Sequence, residues 1–153
     1  MKGMRYTDIR EIKKKLRSEF KAVRRGFTAD EKAERDARIL ERLTSLPEYR
    51  EAELLLTYVS TAIEVDTHIL IEQAIAEGKR VAVPWCVPGK VDMKFFLIGG
   101  MKDLEPGAFG VLEPVPERQQ ELYGAVSEED IEKSLCVLPG LGFDLSGNRL
   151  GYG

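Results

Sequence analysis

The sequence predicts an α/β fold, a three-layer α/β/α sandwich of Rossmann-like type built on a mainly parallel sheet, and three observations carry that expectation. Residues 53–60, Glu-Leu-Leu-Leu-Thr-Tyr-Val-Ser, form a continuous apolar run of strand length, as a strand covered on both faces requires. A helix is expected over 67–77, closed by Gly78, and Arg80-Val-Ala-Val-Pro84 reads as the next buried strand, so the three make a βαβ unit with parallel strands. Near the end, Leu135-Cys-Val-Leu138 reads as a further buried strand and delivers a loop with glycines at 140, 142, 147, 151 and 153. Loops at the carboxyl ends of such strands are where open α/β sheets take their ligands.

The remaining elements follow in order. From Thr7, the residues Ile9, Ile12, Leu16, Phe20, Val23 and Phe27 recur at spacings of three and four, the pattern of an amphipathic helix. Thr28-Ala-Asp-Glu31 is a capping box that starts a second helix, whose buried side is expected from Ala33, Ala37, Leu40 and Leu43, with Pro47 just past its end. Asp92–Ile98 has strand composition. The Gly- and Pro-rich stretch 99–116 reads as a long loop, and Ser127-Glu-Glu-Asp130 starts a short acidic helix before the 135–138 strand.

A chain of 153 residues is expected to form one α/β domain, 1–153, around one core. With 43% hydrophobic and 32% charged residues it has the composition of an ordinary soluble globular protein. No apolar run approaches the length of a membrane span and the N-terminus carries no signal-peptide h-region, so a cytoplasmic protein without membrane contact is expected. Cys86 and Cys136 belong to no C-x-x-C pair, and Cys136 is expected as a buried apolar thiol rather than a metal ligand or redox group. The single histidine, His68, falls at a helix start with no nucleophile motif beside it, which argues against a catalytic triad.

Charge is unevenly distributed. Residues 1–27 hold ten Lys/Arg against three acids, a local excess of +7, while the whole chain carries −3, leaving −10 on the remainder. A basic helix on an acidic body suits a small polyphosphate better than nucleic acid, which would need a broad basic face with interleaved aromatics. Lys13 and Arg17 are four apart and share a helix face; the residues alone leave open a solvated face and an anion contact.

The glycine loop carries one cation, Arg149. It contains no G-x-x-x-x-G-K-[ST], and Gly140-x-Gly142 lacks a third glycine because position 145 is Leu. A phosphate cradle and a surface hairpin turning at Asp144-Leu-Ser-Gly-Asn148 both remain open on spacing alone. Glu64, in the loop after the first strand, is either a surface acid or a carboxylate able to accept a heterocycle's N–H bonds. Met93, Phe109 and Trp85 are either plain core or an apolar wall for a flat ring.

Four ordered stretches, Lys13-x-x-Leu16-Arg17, Tyr58-x-Ser60-x-x-x-Glu64-Val-Asp-Thr67, Gly78-Lys-x-Val81-Ala-Val-Pro84 and Pro139–Gly153, resemble the motifs of the 5-formyltetrahydrofolate cyclo-ligase family. The resemblance implies ATP-dependent cyclisation of 5-formyltetrahydrofolate to 5,10-methenyltetrahydrofolate, with ATP and Mg2+ required and a small-molecule folate as substrate. It implies nucleotide contacts from Lys13, Lys14, Lys15, Leu16, Arg17, Arg149, Leu150, Gly151, Tyr152 and Gly153, with Arg149 catalytic. It further implies folate contacts from Val59, Glu64, Met93 and Phe109, and a monomer or weak homodimer. In the family the last loop continues into a further strand and helix and supplies an aspartate for magnesium, so a C-terminal tail is expected to be missing here and no metal ligand is expected within 1–153. A non-catalytic nucleotide- or folate-binding regulatory relative is the second reading. A sugar-phosphate isomerase or acyl-CoA-transferring enzyme on a similar scaffold is a third, and it leaves the Lys13/Arg17 helix unexplained.

Overall fold

Continuous apolar runs and helix punctuation place the central elements where the sequence puts them. The structure, a computed structural model, describes residues 6–152. Its main sheet has four strands in the order β3-β2-β1-β6: β1 (Leu54–Thr57), β2 (Arg80–Cys86), β3 (Met93–Ile98) and β6 (Ser134–Val137). β1 pairs in parallel with both β2 and β6, and β3 is antiparallel to β2. The carboxyl ends of β1, β2 and β6 therefore share one edge. The helix α4 (His68–Ala76) joins β1 to β2. Gly78, at φ 84°, ends it: the Gly78 and Lys79 N–H groups return to the carbonyls of Ile75 and Ala74, filling acceptors the helix leaves open.

One face of the sheet carries the core. Leu55, Val81, Val83 and Ile98 pack against Leu70, Ile71 and Ala74 of α4 and against Tyr49 of the short helix α3 (Pro47–Glu51). The Tyr49 hydroxyl donates to Glu77, and burial first and that carboxylate second push the phenol's pKa up. Leu40 and Leu43 of α2 (Ala29–Ser45) lean on the same core. The opposite face, with Leu54, Leu56 and Phe95, meets the 121–126 segment and α5 (Glu128–Glu132), and Asp130 of α5 is ion-paired to Arg80.

Two capping boxes fix helix starts as expected. Thr28 accepts from the Glu31 N–H at 3.2 Å while Glu31 accepts from the Thr28 N–H at 2.8 Å, and Ser127 and Asp130 do the same for α5.

Other expectations are corrected. α1 (Tyr6–Arg25) forms, yet Ile9, Ile12 and Val23 of its apolar stripe are exposed; only Leu16, Phe20, Lys21 and Arg24 are half-buried, because the helix touches the body along its C-terminal half. Ala33 and Ala37 face outward, and α2 instead turns Lys32 and Asp36, paired to one another, toward the body beside Leu40 and Leu43. Cys136 is exposed, since β6 is the edge of the sheet rather than a strand covered on both sides. Residues 99–116 contain an antiparallel pair, β4 (Leu104–Pro106) with β5 (Leu112–Pro114). No helix among the described residues is long and apolar enough to cross a membrane.

Candidate active site

The loop leaving β1 is built by its own polar side chains. Thr67 accepts from the Ser60 N–H and donates to the Tyr58 carbonyl, and Asp66 accepts the His68 N–H at the start of α4, the helix-start position expected of that histidine. This fold of the loop turns Glu64 inward, where it is 7% exposed. Its carboxylate accepts the Thr61 N–H at 2.7 Å and the Thr61 hydroxyl at 2.9 Å. The neighbouring Tyr58 hydroxyl donates to the Val65 carbonyl, and burial, then the Glu64 charge, raises its pKa to about 12.

The glycine-rich stretch folds as a hairpin, β7 (Gly142–Phe143) against β8 (Arg149–Leu150). Asp144 shapes the turn by accepting the Ser146 and Asn148 backbone N–H groups and the Asn148 side-chain amide, which hold its carboxyl below the usual carboxylate range. The surface hairpin left open by the sequence is therefore real, and it follows β6 at the carboxyl edge of the parallel strands. Gly142 admits α1: a Cβ there would collide with the Phe20 ring. Gly151, at φ 95°, bends the chain so that Tyr152 returns toward Glu64, whose charge adds to burial in raising the phenol's pKa.

Arg24 joins these parts. One of its terminal nitrogens donates to the carbonyls of Gly140 at 2.5 Å and Leu141 at 2.9 Å, and the other to Ile63 at 3.3 Å. Arg149 grips the same turn from the other side, donating to the Pro139 carbonyl at 2.6 Å. Two adjoining cavities open here. One, of about 190 Å³, is lined by Arg24, Tyr58, Glu64, Leu70, Gly140 and Phe143 among others. The other, of about 460 Å³, shares Arg24, Ile39, Glu64 and Val65 and is rimmed by Arg35, Arg38 and Arg42.

The expected site residues divide. Glu64 and the loop containing Gly151 and Tyr152 come together. Val59 is core, 3% exposed, so only its backbone can face a ligand. Lys13, Lys14, Lys15 and Arg17 are exposed on α1, Lys15 beside Glu19, and Leu16 is half-buried; the helix reaches the hairpin through Phe20 and Arg24 further along. Met93, 57% exposed, lies instead beside a depression on the other sheet face with Leu54, Leu56 and Phe95. Phe109 is almost fully exposed, at φ 58°. Neither lines the two cavities at Glu64. Trp85 packs edge-on against Phe96 with ring centroids 5.9 Å apart. Gly153 lies outside the described residues. No group of three or more His, Cys, Asp or Glu among the described residues could hold a metal ion. Sequence reasoning missed Arg24; its bonds run to backbone carbonyls 39, 116 and 117 residues away, which no local pattern records.

Fold and site together define an α/β protein whose inward-turned carboxylate and arginine-bearing glycine hairpin share the carboxyl edge of a mostly parallel sheet. The chain belongs to the 5-formyltetrahydrofolate cyclo-ligase family, whose profile it matches over residues 9–153. It is 26% identical over 148 residues to a probable 5-formyltetrahydrofolate cyclo-ligase of Caenorhabditis elegans, covering 95% of this chain and 70% of that one. It is 28% identical over 149 residues to the mitochondrial enzyme of that name from Arabidopsis thaliana, covering 92% of this chain and 54% of that protein. The solved structure of Aquifex aeolicus 5,10-methenyltetrahydrofolate synthetase superposes with a TM-score of 0.73 at 27% identity, covering 93% of this chain and 68% of the other.

Proposed function

We propose that this chain cyclises 5-formyltetrahydrofolate to 5,10-methenyltetrahydrofolate, consuming ATP and releasing ADP and phosphate. The observation that carries this reading is the buried Glu64 carboxylate beside a cavity closed by the arginine-bearing hairpin, in a chain of this family.

The formyl carbon on N5 is a poor electrophile, because the nitrogen donates into the carbonyl and oxide is a poor leaving group. Transfer of the γ-phosphoryl group to the formyl oxygen removes both obstacles and releases ADP. N10 of the same folate then attacks the activated carbon, its proton passes to water or to the departing phosphate, and the phosphorylated oxygen leaves as phosphate to give the methenyl bridge. Both nucleophiles belong to the substrate, so the protein supplies position and charge rather than a covalent residue.

In this reading Glu64 and the Val59 backbone hold the folate head, and Lys13, Lys14, Lys15, Leu16 and Arg17 meet the nucleotide along α1. Arg149 leaves the Pro139 carbonyl to neutralise charge at the γ-phosphoryl, while the backbone of Leu150, Gly151, Tyr152 and Gly153 cradles the nucleotide. Met93 and Phe109, assigned to the folate by the resemblance, stand outside the cavities at Glu64, so in this reading they meet a part of the ligand that extends beyond those cavities. Magnesium is implied by the resemblance; no cluster of three or more His, Cys, Asp or Glu among the described residues could hold it, and no step here is assigned to it.

The test is the absorbance of the methenyl product when the purified protein meets 5-formyltetrahydrofolate with and without Mg-ATP. A rise that depends on Mg-ATP supports the ligase. Binding of both ligands with no rise supports the non-catalytic relative.

A further inference from the structure

Arg24 has a geometry that neither its charge nor its place in the sequence explains. It is half-buried, forms no ion pair among the described residues, and spends its guanidinium on three backbone carbonyls, those of Ile63, Gly140 and Leu141. Ile63 immediately precedes Glu64, and Gly140 and Leu141 immediately precede the hairpin that carries Arg149. Arg24 lines both cavities at Glu64.

It also stands seven residues after Arg17 and eleven after Lys13, which places all three on one side of α1, spanning about 16 Å at 1.5 Å per residue. Phe20, on the same side, rests against Gly142. Wherever the N-terminal cations of α1 are drawn, the helix transmits the displacement to Arg24, and Arg24 is bonded to both loops. The turn at 139–141 is meanwhile held by two arginines. For Arg149 to reach a phosphoryl group it must release the Pro139 carbonyl, and the bonds from Arg24 are then what keep the turn in register.

We infer that Arg24 is a positioning residue that couples the nucleotide-binding side of α1 to the folate loop, holding the 139–141 turn while Arg149 moves. The inference rests on the ligase reading of the site. A fork of fixed donors is needed because the three carbonyls lie on two separate segments; a lysine ammonium, a single point of charge, cannot span them in the same geometry.

The experiment uses Arg24→Ala and Arg24→Lys in the full chain. Three quantities are measured: turnover with each KM; binding of a non-hydrolysable ATP analogue with and without 5-formyltetrahydrofolate; and rescue by added guanidinium. In the wild type each ligand is expected to tighten the other. In Arg24→Ala that mutual effect disappears, affinity for either ligand alone changes less than about threefold, and kcat falls on the order of a hundredfold, the scale set by lost alignment. Millimolar guanidinium restores part of the turnover of Arg24→Ala, and Arg24→Lys stays well below the wild type. The core does not use Arg24, so thermal unfolding of both variants remains close to the wild type.

Turnover and coupling within threefold of the wild type in Arg24→Ala would overturn the inference. So would equal losses in each single affinity with no guanidinium rescue, which would mark a general loosening. A wild type that forms no product but still shows coupling abolished by Arg24→Ala would sink the ligase reading and leave the positioning role standing. Absence of both product and coupling in the wild type would remove both.

Discussion

The β1–α4–β2 unit and the junction of α1 with the C-terminal hairpin are held together by different physics. In the first, Leu55, Ile71, Ala74 and Val83 are fully buried and the register is set by strand pairing, so its stability comes from apolar area removed from water. In the second, no described residue of α1 is buried, and the contact depends on Phe20 against a glycine and Arg24 on three carbonyls. A segment held by few polar bonds can shift at small cost, as a site must when a ligand arrives. The core sets where the edge lies, and the junction sets how α1 and the hairpin meet on it.

The sharpest way to break that division is in the core. Replacing Ile71 with Ala removes a side chain that has no exposed surface and should cost about 2–5 kcal/mol in denaturant unfolding. Replacing the half-buried Phe20 with Ala should cost about 1–2 kcal/mol, because much of that ring is already in water. Equal losses would mean that α1 belongs to the core.

Arg149→Ala tests the opposite side. Its guanidinium is exposed and bonded to a single carbonyl, so the melting temperature should stay near that of the wild type. Turnover should fall on the order of a hundredfold, the usual loss for one preorganised charge-stabilising group, with folate affinity nearly unchanged. Unchanged turnover would remove Arg149 from the chemistry.

The same contrast decides what could be read from the sequence. β1, α4 and β2 were legible because burial imposes a continuous apolar run and a glycine stop, and Thr28 and Ser127 were legible because caps are local. The inward face of α2 was not. Ala33 and Ala37 fit either environment, and the Lys32–Asp36 pair turns toward the body, which hydrophobic periodicity reads backwards. β4 and β5, of three residues each, exist through pairing with one another inside a stretch whose glycines and prolines announce a loop. In the candidate site, motif resemblance singled out Glu64 and the hairpin, which the fold brings near one another. Met93 and Phe109 stand outside the cavities at Glu64, because an aromatic or a methionine near a motif need not face it, and Arg24 was one of ten cations with nothing local to single it out.

Tyr58 provides a pH handle on the boundary between the two regions. Its pKa is raised to about 12 by burial and by Glu64, against an ordinary value of 10. The folded state thus holds the phenol proton more tightly than the unfolded chain does. That contribution is complete below pH 10 and is lost as pH rises toward 12. Denaturant unfolding at rising pH should show stability falling through that window, and Tyr58→Phe should flatten this part of the fall. A Phe variant with the same slope would place the titration elsewhere, with Tyr49 the next candidate since its pKa is raised too.

The smallest effect is expected at Thr28, and it tests where α2 stands. This helix has no buried residue, leans on the core through Leu40 and Leu43, and lines both cavities through Ile39. Thr28→Ala removes one half of the capping box and should cost about 1 kcal/mol. If α2 is scaffold, amide exchange should quicken at residues 29–32 alone, with both KM values unchanged. If α2 belongs to the mobile side, the weakened cap should also raise the folate KM several-fold. Fraying at the start of α2 would then reach the cavity beside Glu64 through Ile39 and Leu40, which both line it while Leu40 also packs against the core.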